Sequence, residues 1–539
     1  MAAYTAGSSL VTAAVAGALS HILYFSRGEH QLYGSAYFKT AWVGVTAAIS
    51  ALHYTQNAEW SEATSTVAQI FGSYLAGVYG HLIFYRLFLH PLSHFPGPVG
   101  ARISSLYSIQ YRHQNTQNLV KLHHKYGPIV RNGSSDLSIV HPKAVEAIYG
   151  PKSRCSKAEF YDFAAPNFSL QTYRDYDSHH RRRRVWSTAF SDKLIRGYEQ
   201  RVRVYQDKLI AHLASMNGQP VDWRKWSNLY SFDVMGDLAF GKGFGSMEAG
   251  EEHWVVSTII GTMDSFGLFL PTWLMRVFTN IPGLSSDWWR LLAWCSERFQ
   301  ERMSNKLEIQ DISSTLIAAL GDKKPTKDDW DLLTGDSRLI VVAGSDTTAG
   351  TFVIMLHTLL KHPAELEKLR AELEPFRDAS GHFLNSDIAN LDHLNGVINE
   401  TLRMYPPVSG VLPRMTPPEG IDIDGMHIPG NVTVSCPMYP MGRSEMNYEK
   451  PNDFIPERWY KNPELIKHKE AFAPFTIGEY NCIGRPVALL NLRTTLARLV
   501  TDFDIQLAPG ETGEKTFKDS RDSFVIYWGE LNLVFNQRK

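Results

Sequence analysis

The chain has 539 residues, 44% of them hydrophobic, and a formal net charge of −1. That length supports a large buried core and, on size alone, about three or four domains. Near-zero charge gives no support to nucleic acid as a partner, and four scattered cysteines with no Cys-x-x-Cys pair indicate neither a zinc site nor a disulfide framework and favour a reducing compartment.

The first 90 residues form a region apart. Ser9 to Phe25, Ala36 to Leu52 and Thr66 to Leu89 are apolar stretches of 17, 17 and 24 residues. Each is about long enough to cross a bilayer as a helix. Arg27 and Lys39 follow the first stretch, Glu59 and Glu62 follow the second, and Arg86 closes the third. The positive-inside rule then predicts a lumenal N-terminus, a lumenal second loop and a cytosolic chain after Arg86. A single true anchor, the third stretch, with two amphipathic or buried helices before it is the other reading of these lengths. No basic n-region marks a cleaved signal peptide. His90-Pro-Leu-Ser-His-Phe-Pro-Gly-Pro98 follows as a stiff hinge, since proline fixes the angle at which the chain leaves a membrane.

No repeat or low-complexity linker divides the rest, which reads as one large domain. His179-His-Arg-Arg-Arg183-Arg-Val-Trp-Ser-Thr-Ala-Phe190 is a basic helix, and a run of four arginines reads first as a solvated face. Leu339 to Leu360 is an apolar helical run broken by Ala343-Gly344-Ser345-Asp346-Thr347-Thr348. An Asp and two Thr inside a buried helix are costly without a purpose. Gly344 is a poor helix former and a Thr hydroxyl can bond the carbonyl one turn back, so a local polar notch is expected. A kinked core helix with a solvated Asp fits the same hexapeptide. The polar cluster excludes a membrane span here.

Glu400-Thr-Leu-Arg403 places opposite charges three apart on one helix face. Its apolar neighbours and the following Tyr405-Pro-Pro predict burial, and Phe454-Ile-Pro-Glu-Arg458-Trp459 offers a second arginine. Finally, Phe475-Thr-Ile-Gly478-Glu-Tyr-Asn-Cys482-Ile-Gly484 sets one cysteine in a glycine-framed loop ahead of an apolar helix. Glycines let such a loop curl tightly and approach a flat ligand. A thiolate is favoured at the helix N-terminus and tuned by nearby amides.

In that order, basic helix, central helix, charge triad and cysteine loop resemble the cytochrome P450 superfamily from about Pro91 to Lys539. The resemblance implies a mainly α fold with small β-sheets, preceded by N-terminal transmembrane helices. It divides the chain into a membrane anchor at 1–90, with three spans, and a haem-thiolate catalytic domain at 91–539. Cys482 would be the axial ligand of haem b (iron protoporphyrin IX), framed by Phe475, Gly478 and Gly484. His179, Arg183 and Arg414 would meet the haem propionates, guanidinium being the natural partner of a carboxylate. Asp346 and Thr347 would relay protons to dioxygen, and Glu400, Arg403 and Arg458 would lock the core without touching the chemistry. The family loop usually carries Arg two residues before the cysteine; Tyr480 stands there instead and can donate a hydrogen bond but no charge.

The implied reaction is monooxygenation with O2. Electrons would come from NADPH through a flavin-containing NADPH–cytochrome P450 reductase, since the chain carries no Gly-rich dinucleotide motif. The exposed arginines of the basic helix would dock that reductase. The expected location is the endoplasmic reticulum membrane, multi-pass, with the catalytic domain cytosolic and lipid as a second partner. The three anchor stretches, the arginine run and Tyr-Asn-Cys-Ile-Gly-Arg-Pro resemble fungal secondary-metabolism members of the tryprostatin B 6-hydroxylase-like group. That implies a small apolar polycyclic natural product, such as an indole alkaloid, as substrate. The aromatic stretches Tyr161–Tyr173 and Phe266–Trp273 are candidate pocket walls. A reductase-independent haem-thiolate isomerase or dehydratase, and a non-catalytic membrane haem protein, use the same parts.

Overall fold

The structure is a computed structural model, and it describes residues 2–268, 270–281, 283–305, 309–410 and 412–538. Packing divides the chain into two compact units. The first holds residues up to Ser108 with Arg131–Leu137 and Leu270–Ser286; the second holds Ile109–Val130, Ser138–Phe269 and the chain from Asp287 onward.

The long helices of the first unit are α1 (Ala2–Ser20), α2 (Gly34–Gln56) and α3 (Trp60–Phe84). α1 and α3 touch backbone to backbone, because a Cβ on Gly17 would collide with the Tyr74 carbonyl and one on Gly77 with that of Ala14. Small residues at a close crossing are the usual device of helices packed in lipid. Ser8–Phe25 and Trp60–Leu89 are long and apolar enough to cross a membrane, whereas α2 does not reach the same apolarity. The hinge is stitched down rather than free. Arg131 donates from its backbone N–H to Pro96 O (2.7 Å) and from Nη1 to Arg86 O (3.0 Å), and Gly97 leaves room for the Arg131 carbonyl. That stitching carries the unit past residue 90. Helix Thr272–Thr279 also belongs here: a Cβ on Gly34 of α2 would lie 3.3 Å from Trp273 O. Of the expected pocket stretch Phe266–Trp273, the part from Leu270 onward thus belongs to this first unit, and Phe269 lies outside the described residues.

The second unit is mainly helical, with small sheets. Its axis is the 35-residue helix Lys327–Lys361. A capping box starts it: Thr326 N–H donates to Asp329 Oδ2 (2.9 Å) and Asp329 N–H to Thr326 Oγ1 (3.3 Å). Pro363 ends it, by steering His362 out of helical geometry (φ −128°, ψ 67°). Helices Trp223–Phe240, Asp392–Met404 and Arg485–Asp502 pack along it. Although apolar enough to span a bilayer, most of its length is buried in protein, so it is a core helix.

Small antiparallel strand pairings complete the unit, among them Ile421–Ile423 with Met426–Ile428. Ser156–Lys157 pairs with Arg414–Met415, which pairs with Thr433–Ser435. Phe503–Leu507 and Val221–Asp222 flank Asn532–Gln537. Arg521–Ser523 and Val525–Tyr527 form a tight hairpin.

Candidate active site

The cysteine loop is closed by Cys482 N–H donating to Phe475 O at 2.9 Å. Gly478 has φ 72°, and a Cβ there would strike the Tyr149 carbonyl, so only glycine fits. Gly484 caps helix Arg485–Asp502, with Pro486 in its first turn. Among the four cysteines Cys482 alone is exposed. Its thiol is nonetheless closely ringed by protein, and burial pushes its pKa up. The Gly484 and Arg485 amides and the Arg183 and Arg485 guanidiniums pull the other way, toward thiolate.

In the central helix one stripe stays open. Leu339, Val342 and Thr347 are partly exposed and Ala343 is exposed, in the middle of an otherwise mostly buried element. Thr347 Oγ1 donates to Ala343 O (2.9 Å), as the sequence suggests, but the helix runs on without a break. Gly344 serves packing instead: a Cβ there would press on the Met235 side chain of helix Trp223–Phe240. Asp346 is buried, and burial pushes its pKa up to about 6 against hydrogen bonds from Tyr527 and Ser345 that pull it down.

Cross-strand pairing of Lys157 with Arg414 brings two cations together. His179 and Arg183 come from helix Tyr176–Ala189. Tyr480 stands among them: Lys157 Nζ lies 4.8 Å and Arg414 Cζ 5.1 Å from its ring centre, and the His179 ring meets it edge-on at 4.6 Å. Lys157, His179 and Arg414 are buried. Burial first, then Lys157, Arg183 and Arg414, pushes His179 down to about 2, so it is neutral. Lys157 is depressed by burial and then by Arg414 and Arg183. The nearby acid, Glu479, is 3.5 Å from His179 Nδ1 and engages His180 at 3.1 Å. Arg414 Nε finds no hydrogen-bond partner among the described residues. Clustered, buried cations with an orphaned donor make a site for carboxylates, and haem carries two propionates. With an accessible thiol and an open apolar stripe, the residues present fit haem b.

Glu400 is fully buried and fully satisfied. Its Oε1 accepts from Arg403 Nη2 (2.8 Å), Arg458 Nε (2.9 Å) and Ile455 N–H (3.0 Å). Its Oε2 accepts from Arg403 Nε (2.8 Å) and Trp459 Nε1 (3.0 Å). Both arginines continue to backbone carbonyls, Arg403 to Pro451 (2.7 Å) and Arg458 to Glu449 (2.8 Å).

One expectation for the basic helix fails. Arg182 is buried, not solvated, and donates through Nε to Asp336 Oδ2 (2.6 Å); Trp186 Nε1 (3.2 Å) and Leu170 N–H (3.0 Å, to Oδ1) share that carboxylate. Arg181 and Arg184 remain exposed. Sequence reading also passes over Lys157, Asp336 and Tyr527, whose partners lie far along the chain; Val411, three residues before Arg414, is outside the described residues.

A family model described as Cytochrome P450 matches residues 96–532. The chain is 45% identical over 527 residues to cytochrome P450 monooxygenase notG' of Aspergillus versicolor, covering 97% of each. It is 42% identical over 539 residues to tryprostatin B 6-hydroxylase of Aspergillus fumigatus, covering 98% of this chain and 96% of the relative. The crystal structure of the cytochrome P450DA heme domain shares the fold, with a TM-score of 0.67 at 18% identity over 80% of this chain and 95% of that one.

Proposed function

The chain belongs to the cytochrome P450 family and is a haem-dependent monooxygenase, and from that premise we propose that it oxidises a polycyclic indole alkaloid in fungal secondary metabolism. Full-length identity above 40% to a tryprostatin B 6-hydroxylase carries this reading of the substrate. The electron donor in the proposal is NADPH–cytochrome P450 reductase. The setting is the endoplasmic reticulum membrane, with α1 and α3 among the spans and the catalytic unit cytosolic.

Haem b supplies, when bound, the activation of dioxygen, which no side chain provides. The protein's part is to bind, orient and move protons. Cys482 would hold the haem iron through its sulfur, with the Gly484 and Arg485 amides and Arg183 favouring the thiolate against the burial that raises its pKa. Arg183, Arg414 and His179 would hold the propionates, and Lys157 would join them in place of the charge that Tyr480 lacks. Asp346 holds a proton close to neutral pH, where a general acid works best. Thr347 stands beside it on the open stripe. Phe160 contacts Phe163, Phe266 and Phe524 at ring distances of 5.5 to 5.9 Å, an apolar wall that would seat the substrate and exclude water. Glu400, Arg403 and Arg458 fix the core.

The test is reconstitution with reductase and NADPH, offering indole alkaloids against other polycyclic products. A spectral shift on binding and a hydroxylated product with an indole alkaloid support the proposal. Turnover only of non-indole substrates removes the substrate class, and turnover without NADPH identifies an isomerase or dehydratase. Thr347→Ala should keep NADPH consumption but divert it to peroxide and water.

A further inference from the structure

Asp346 and the hairpin Arg521–Ser523/Val525–Tyr527 meet in a way the motif does not foreshadow. The strand Val525–Tyr527 is pinned from both sides. Ile526 N–H donates to Pro407 O (2.9 Å), and Ile526 O faces Gly350 of the central helix, 3.5 Å from where a Cβ would stand. This placement brings Tyr527 OH to Asp346 Oδ2 at 2.7 Å. The other nearby hydroxyl is Ser345 Oγ, 3.4 Å from Oδ1, and it already donates to Val341 O at 2.7 Å. One hydroxyl proton cannot serve both well, so Tyr527 supplies the one strong hydrogen bond to the carboxyl among the described residues. Two further charged groups act from neighbouring elements, and both are acidic. Glu252 acts on Asp346, and Asp264 of helix Trp254–Phe266 acts on Tyr527. Asp264 is itself held by Arg521 Nη1 (2.9 Å) and Ser523 Oγ (3.3 Å), so the cation Arg521 is engaged elsewhere.

We propose that Tyr527 is the positioning residue for proton delivery: its phenol proton fixes Oδ2 of Asp346 and sets how readily that carboxyl takes up and releases a proton. The inference rests on the relay role proposed for Asp346. Tyr527 is not the proton source, because burial and then Asp346 hold its own ionisation well above the ordinary range. It stays neutral and donates. Loss of this donor removes stabilisation from the carboxylate only, since the neutral acid can turn its own hydroxyl to other acceptors.

The experiment uses the full-length holoenzyme with reductase. The carboxyl infrared band of the resting enzyme, assigned by its loss in Asp346→Asn, is titrated in wild type and Tyr527→Phe. A charge-assisted hydrogen bond predicts an upward move on the order of one pH unit, about tenfold in proton affinity. The pH profile of product per NADPH should move by the same amount, with haem content and the substrate-induced spectral shift unchanged. 3-Fluorotyrosine at position 527 keeps the ring's shape while strengthening the donor, so it should move the titration down, whatever the folding of Tyr527→Phe. If neither replacement moves the titration while Asp346→Asn lowers coupling, Tyr527 has no positioning role and the relay reading stands. If Asp346→Asn leaves rate and coupling at wild type, the relay reading itself fails.

Discussion

Replacing Lys157 by methionine isolates the charge that the cysteine loop lacks. Lys157 Nζ is buried, donates to Leu170 O at 3.0 Å and lies over the Tyr161 and Tyr480 rings at 5.5 and 4.8 Å. Methionine matches the stem's length and apolarity, so packing changes little. Without haem, the change removes a buried cation that lies beside Arg414, and the protein should tolerate it well. With haem, it removes a charge-assisted contact worth about 1.5–3 kcal/mol, or roughly ten- to one-hundred-and-fifty-fold in haem loss. Transfer of haem to excess apomyoglobin, followed in the Soret band, reads that rate. Tyr480→Arg alone brings a cation to within about 5 Å of both Lys157 and Arg414, a repulsion of about 3 kcal/mol per pair at an effective dielectric of 20, which the propionates must offset. Combined with Lys157→Met, the same arginine restores the count of charges. The double variant should therefore retain haem better than Lys157→Met. Wild-type haem loss from Lys157→Met would refute the reasoning and leave Lys157 as a tether for Leu170.

Glu400→Gln leaves Arg403 and Arg458 buried without their shared carboxylate, a loss of about 3–5 kcal/mol; little haem-loaded protein should accumulate, and yields at wild-type level would mean the network tolerates a neutral acceptor. Asp346 has a pKa pushed from 3.8 up to about 6. Between those values the folded state keeps a proton that the unfolded state has lost, so stability falls as pH rises through that window and the penalty is complete above it. Asp346→Asn lacks the titration and should raise Tm at pH 7.5, by about 2–3 kcal/mol of stability, but not at pH 4; an equal change at both would contradict the assignment. Glycosylation acceptors placed near the N-terminus and near Glu59 should both be modified in microsomes, and an unmodified N-terminal site would favour a single span.

Motifs contained within one element are legible in the amino-acid sequence. The glycine-framed cysteine, the Thr347 hydroxyl bonded one turn back and the Glu400–Arg403 pair are each local, and spacing along a loop or helix fixes them. Contacts between distant segments are not legible in this way. Arg182 meets Asp336 154 residues away, and Tyr527 meets Asp346 181 residues away. Nothing in a run of four arginines says which one turns inward, because the helix's docking face decides it. Lys157 becomes interpretable only once its strand pairs with Arg414. Gly344 is the opposite case, a residue conspicuous in the sequence for the wrong reason. Its missing side chain admits Met235 from the adjoining helix and opens no break in its own.

The central claim is that Cys482 is the thiolate ligand of the haem. The carbon monoxide difference spectrum of the reduced, membrane-bound enzyme tests it directly. The wild type should show the red-shifted Soret band of a thiolate-ligated carbonmonoxy haem, and Cys482→Ser should lose that band together with all turnover, while loss of any buried cysteine (Cys155, Cys295 or Cys436) leaves it in place. A Cys482→Ser protein that keeps the band would contradict the account.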